Sequence, residues 1–145
     1  MMSKTDKIIL YLVRKSKQID RLKLMKLMFL AEYYNFEAKK IEPYKNIGND
    51  FIIYSYGVFS FEVYTELFTL LGKEMLEENK KLLTTQENVV LDSEIKVRAD
   101  KILEKFGSKT GWELANLTLD MLKIKKEEKY KYNGVPVETI LINMS

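Results

Sequence analysis

The sequence predicts a mainly α, α+β fold: a compact helical bundle around one buried central helix, with a small two- or three-stranded β element. Three observations carry this expectation. The segment DRLKLMKLMFLAEYYNF, residues 20–36, is apolar nearly all round, as a helix is when its neighbours enclose it. Capping residues and glycines cut most of the chain into helix-length pieces. Two short stretches, FIIYSY and TTQENVVL, have the β-branched and aromatic content of strands.

Taken in order, Thr5 or Asp6 is suited to cap a first helix running to about Ser16, with Ile8, Ile9, Leu12 and Val13 on its inner side. The polar turn KSKQ leads to Asp20, the cap of the central helix. On a helical wheel Arg21, Glu32 and Asn35 form that helix's polar stripe. Lys23 and Lys26 fall opposite, where they are expected to snorkel to water or to meet a partly buried carboxylate. Pro43 and the cluster NIGND then break the pattern.

The strand FIIYSY should end at Gly57, and Ser60 should cap the helix FEVYTELFTLLG, which Gly72 stops. A short acidic helix, about Lys73 to Lys81, is expected next. TTQENVVL should follow as a strand that flanks FIIYSY. Asp92 or Ser93 caps a helix through Phe106, which Gly107 terminates. Thr110 and Glu113 have capping-box spacing, opening a helix with Ala115, Leu119 and Leu122 on one face and Trp112 at its amino end. The segment KIKKEEKYKY reads as solvated. After it, the Asn133–Gly134 turn and Pro136 introduce a last short helix, VETILINM.

At 145 residues the chain is expected to form one domain, 1–145. Its 46% apolar and 31% charged residues are those of an ordinary globular protein. No apolar run reaches the ~20 residues that cross a bilayer, so no membrane partner is expected. The segment MMSKTDKIILYLVRKS reads as the first helix and not as a signal peptide, which makes a cytoplasmic location the expectation.

Two absences narrow the function. Without cysteine there are no thiolate nucleophiles and no cysteine-ligated metals; without histidine, the side chain best matched to proton transfer near neutrality is gone. No Gly-rich phosphate loop is present. Glu62 and Glu66 stand at i, i+4, but that spacing is ordinary for a solvated helix face, and they lack the further ligands a metal would need. A non-enzyme with no cofactor and no metal is the expectation.

Residues 50–68, DFIIYSYGVFSFEVYTELF, concentrate aromatic rings around one glycine. Phe51, Phe61 and Phe68 read as core, and Tyr64, one turn after Phe61, can join it. Tyr54, Tyr56 and Phe59 surround the turn at Gly57 and are either a lid on the core or a surface for a partner. With Glu62 beside them, that surface would suit a basic partner.

The net charge is +3, with basic residues crowded into the first 26 positions. Two helices joined by a short turn there loosely resemble a helix-turn-helix, whose contacts to nucleic acid would be Lys17, Arg21, Lys23 and Lys26. A solvated helix surface accounts for the same charges.

Three segments, in order, resemble a known family: LKLMKLMFLAEYY, FIIYSYGVFSFEVYTEL and KFGSKTGWELANLTL. Together they look like the SocA-like antitoxin family, or Panacea domain, also known as phage-associated GepA-type proteins, over roughly residues 20–120. Val58 stands where that pattern usually has proline, and Leu119 where it usually has histidine, so any role of that histidine does not carry over. The resemblance implies a binding module that neutralises a cognate toxin by direct contact. The alternative is a winged-helix-like DNA-binding regulator that uses the basic amino-terminal helices.

Overall fold

A computed structural model describes residues 2–16 and 19–144. Six α-helices form the body: α1 Lys4–Ser16, α2 Arg21–Tyr33, α3 Phe61–Gly72, α4 Ser93–Phe106, α5 Gly111–Met121 and α6 Val137–Met144. A 3-10 helix, Lys126–Tyr132, carries no buried residue, as its charged sequence requires. Three antiparallel hairpins complete the fold, so it is α+β. They pair β1 Tyr34–Asn35 with β2 Lys40–Ile41, β3 Ile52–Tyr54 with β4 Gly57–Phe59, and β5 Glu77–Asn79 with β6 Leu82–Thr84.

α2 is the centre. It touches α1, α3, α4 and α5, and every residue from Leu24 to Tyr33 is buried. Asp20 caps it as expected, accepting the Lys23 N–H at 2.7 Å. Phe29, Tyr33 and Phe51 form a ring triad with centroids 5.5 to 6.1 Å apart. At the other end of α2, Arg98 donates to the carbonyls of Leu30, Ala31 and Tyr34, closing the helix terminus with a cation. The fully buried Glu32 carboxylate accepts the N–H groups of Ile47, Gly48 and Asn49, so the NIGND segment is a nest for this anion and not merely a break.

Three local expectations are corrected. α1 begins at Lys4, and its cap is Ser3: Ser3 Oγ accepts from Asp6 N–H, while Asp6 Oδ2 accepts from Ser3 N–H, both at 3.1 Å. Lys73–Lys81 is not a helix, because Leu70, buried and turned inward, accepts the N–H groups of Met75 and Leu76 and turns the chain into β5. TTQENVVL is not a strand beside FIIYSY; only Thr84 lies in β6, and β3 pairs with β4 instead. Gly57, at φ 97°, takes the left-handed backbone that lets the chain reverse after Ser55–Tyr56. The outer edge of β3 is closed by the segment around Val135, so no further strand could join there.

Thr110 and Glu113 form the expected capping box. Gly111 is required by close approach: a Cβ there would lie 3.0 Å from Lys23 N and 3.1 Å from Asp20 Oδ1. The amino ends of α2 and α5 therefore meet, and this junction sets one end of the groove described next.

Candidate functional site

Helix α3 has two apolar stripes. Val63, Leu67 and Leu70 face the core and are buried. Phe61, Tyr64 and Phe68, spaced i, i+3, i+7, make the second stripe, in which Phe61 and Phe68 are exposed and Tyr64 is half-buried against the core. Phe61 is 54% exposed. The expectation that Phe61 and Phe68 are core is corrected: a helix lying on the bundle surface buries one stripe, and the sequence supplies two.

The second stripe continues into the β3–β4 hairpin. Phe59 meets Phe61 edge to face at 4.9 Å and Tyr64 at 5.4 Å, and Tyr54 meets both Phe59 and Phe61 within 5.7 Å. Across the turn, Tyr56, 63% exposed, meets Trp112 of α5 at 5.8 Å. These rings wall a groove of about 1030 Å³, floored by Leu22 and Met25 of α2. The β5–β6 hairpin forms the facing rim through Glu78, Lys80 and Lys81.

The predicted partner-binding residues are thus partly brought together. Tyr54, Tyr56 and Phe59 line the groove; Gly57 is buried beneath the turn and shapes it. Glu62 is not among the lining residues, and its Oε1 accepts the Asp50 N–H at 2.7 Å. The inference of a basic partner leaned on Glu62, whereas among the described residues the groove lining carries four cations, Arg21, Lys26, Lys80 and Lys81, against two carboxylates, Asp20 and Glu78. Sequence reasoning missed Phe61 and Trp112 as site residues, although the surplus stripe on α3 was a readable signal. Trp112 shares the face of Ala115 and Leu119 but sits one turn beyond the edge of the core.

The basic residues of α2 act inside the chain. Lys26 is 1% exposed, and its Nζ donates to the carbonyls of Tyr56 and Val58, each at 2.7 Å. It therefore bolts the aromatic hairpin to the central helix. Burial, aided by the charge of Lys129, pulls its ammonium down to about 7, while the two carbonyls favour the protonated form. Lys23 Nζ donates to Gly107 O at 2.6 Å and ties down the end of α4. Lys26 does not snorkel to water, and Lys23 is half-buried; each ends on a carbonyl and not on a carboxylate, and a carbonyl partner leaves no second charge to desolvate.

Arg21 forks onto Glu78 at 2.6 and 2.7 Å, and its guanidinium stacks over Phe68 at 4.9 Å. Hydrogen bonding to Arg21 holds the Glu78 carboxyl below its ordinary range. Lys26 is thus contradicted as a surface contact for nucleic acid, and Arg21 and Lys23 are engaged within the chain. Lys17 lies outside the described residues.

A second unusual group lies between α1 and α3. Asp6 Oδ1 is buried, and no N–H or hydroxyl of the described residues reaches it. A protonated Glu66 can donate to the Asp6 carboxylate, whereas an ionised one would only repel it. That hydrogen bond, with burial and the Asp6 charge, raises the Glu66 carboxyl to about 7 against the opposing pull of Lys73.

Among the described residues no group of three or more carboxylates could hold a metal ion, and no helix is long and apolar enough to cross a membrane. Compared with protein-family models, with curated proteins and with solved structures, the chain matches none.

Proposed function

We propose that this protein is a non-catalytic, antitoxin-like interaction module that neutralises a cognate toxin by covering it with the aromatic groove, acting in the cytoplasm without a cofactor. The observation that supports this most directly is the ring stripe that runs from Phe68 through Tyr64, Phe59 and Phe61 to Tyr54, with the Tyr56–Trp112 pair lining the same groove. Large apolar patches left open on a folded domain mark interaction surfaces, and rigid rings supply contact area at low cost in rotamer freedom. The three ordered segments that resemble the SocA-like (Panacea) family point to the same class of activity. Masking by steric occlusion requires only shape and contact area, which suits a chain without imidazole or thiol.

The test is co-expression with the product of the neighbouring gene. Rescue of growth by the wild-type chain, lost in Phe61→Ala and Trp112→Ala variants that keep the wild-type melting temperature, is the expected result. Full rescue by both variants would show that the groove is not the masking surface. A gel shift on duplex DNA at low salt addresses the regulator reading, for which a steep salt dependence is required.

A further inference from the structure

We infer that the groove takes an acidic segment of a protein partner, one that sets Asp or Glu next to Phe, Trp or Leu. This rests on reading the groove as a partner-binding surface and specifies what it recognises. The argument is one of charge left over. Four cations line the groove, Arg21, Lys26, Lys80 and Lys81, against two carboxylates, Asp20, which caps α2, and Glu78, which the Arg21 fork holds. Lys80 and Lys81 have no hydrogen-bonding or ionic partner among the described residues and stand on the rim facing the rings. Lys129, which does not line the groove, is spent on Ser55 O, so the spare cations are the lysine pair. An apolar anchor would sit on the rings while its neighbouring carboxylates meet the lysine pair.

The backbone carries a second, independent sign. Asn79 pairs with Leu82, so Lys80 and Lys81 are the whole of a two-residue turn. Both take left-handed φ values, 53° and 68°, as the mirror-image type I turn demands. Asn-Gly suits that turn; two lysines strain it, on the order of 1 kcal/mol each. Lys39, Glu74 and Lys123 also take positive φ singly elsewhere, but at this tip two successive lysines do so where Asn-Gly would relieve the strain. A single-stranded nucleic acid would also meet lysines and rings, but neighbouring groove rings stand at 34–82° to one another, so no two of these pairs present parallel faces to successive bases.

The experiment selects random peptides, displayed on phage, against the immobilised full chain. Clones enriched in Asp or Glu beside Phe, Trp or Leu are expected on the wild type. On the Lys80→Glu, Lys81→Glu chain the preference should move to Lys or Arg beside the same apolar residues. A Lys80→Asn, Lys81→Gly chain should melt at a higher temperature yet bind the selected acidic peptide on the order of tenfold more weakly, since two rim charges are lost. The proposal is overturned if the wild type selects basic or neutral peptides or none, or if the lysine variants bind the acidic peptide unchanged. It is also overturned if a labelled single-stranded oligonucleotide displaces that peptide and binds more tightly. Selection of basic peptides that still requires Phe61 and Trp112 would sink this inference and leave the masking surface standing. Loss of growth rescue in no ring variant would remove that surface itself.

Discussion

Two hairpins flank the groove and are built differently. The β3–β4 hairpin is held from below: the Lys26 ammonium bonds the carbonyls of Tyr56 and Val58, and Gly57 supplies the left-handed backbone that its turn needs. The β5–β6 hairpin is held by a backbone bridge, the N–H of the buried Leu83 bonding Ile19 O at 2.7 Å, and at its rim by the partly exposed Arg21–Glu78 pair, while its turn forces two lysines into backbone they disfavour. Each hairpin is thus tied to the body by a contact from far along the chain, and the two differ at the turn, where one places a glycine in left-handed backbone and the other places two lysines there.

The largest effect should come from the bolt. Lys26→Met keeps the volume but orphans two carbonyls, and is expected to cost about 2–3 kcal/mol, or roughly 6–9 °C in melting temperature. An unchanged melting temperature would mean that β3–β4 does not depend on the central helix. The same side chain should leave a pH signature. Its folded pKa, about 7, lies below its ordinary 10.5, so the unfolded chain binds more protons between those values. Lys26 therefore contributes stability that is present at alkaline pH and lost as pH falls to about 7.

Glu66 works in the opposite sense. It rises from 4.5 to about 7, so its contribution is full below 4.5 and lost as pH climbs through about 7. Chemical denaturation across pH 5–10 should show a stability minimum near neutrality. Above about 10 the raised Tyr11 and Tyr33 phenols reverse the trend. Lys26→Met should erase the alkaline limb and Glu66→Gln the acid limb, while changes at Lys80 and Lys81 leave both; a curve flat in the wild type would refute the assignment.

Gly57→Ala comes next. A Cβ there would meet Leu119 and Lys26 Nζ only at 3.6–3.8 Å, so space is adequate and the cost is the backbone's alone, about 1–2 kcal/mol by equilibrium unfolding. A larger loss would mean that the hairpin is packed more tightly than its geometry indicates. Smallest is Arg21→Ala. The pair it breaks is partly exposed, so less than about 1 kcal/mol should be lost. A loss as great as that of Lys26→Met would show the two hairpins to be equally anchored.

How much of this was legible depends on what each signal measures. The central position of α2 could be read because a helix with no broad polar face has to be enclosed. The caps at Asp20, Ser60 and Thr110 were legible because each is a local bond between neighbours in the chain. The β3–β4 pairing was not foreseen, since GVF is too short to stand out and its partner lies only two residues away. Lys26 was visible as a lysine on the wrong side of a helix, but its partners, 30 and 32 positions away, were not. The ring cluster around Gly57 was found, and its extension along α3 was misassigned to the core.

By itself, the order of residues decided where helices begin, that α2 is enclosed, that imidazole and thiol chemistry are unavailable, and that rings crowd residues 50–68. Only the tertiary structure decided which rings stay uncovered, which lysines are spent on carbonyls, and that the groove's spare charge is positive. The physical reason is range. Propensity, capping and composition act over a few neighbouring residues, whereas exposure and charge pairing depend on what the folded chain places against each side chain from far along its length.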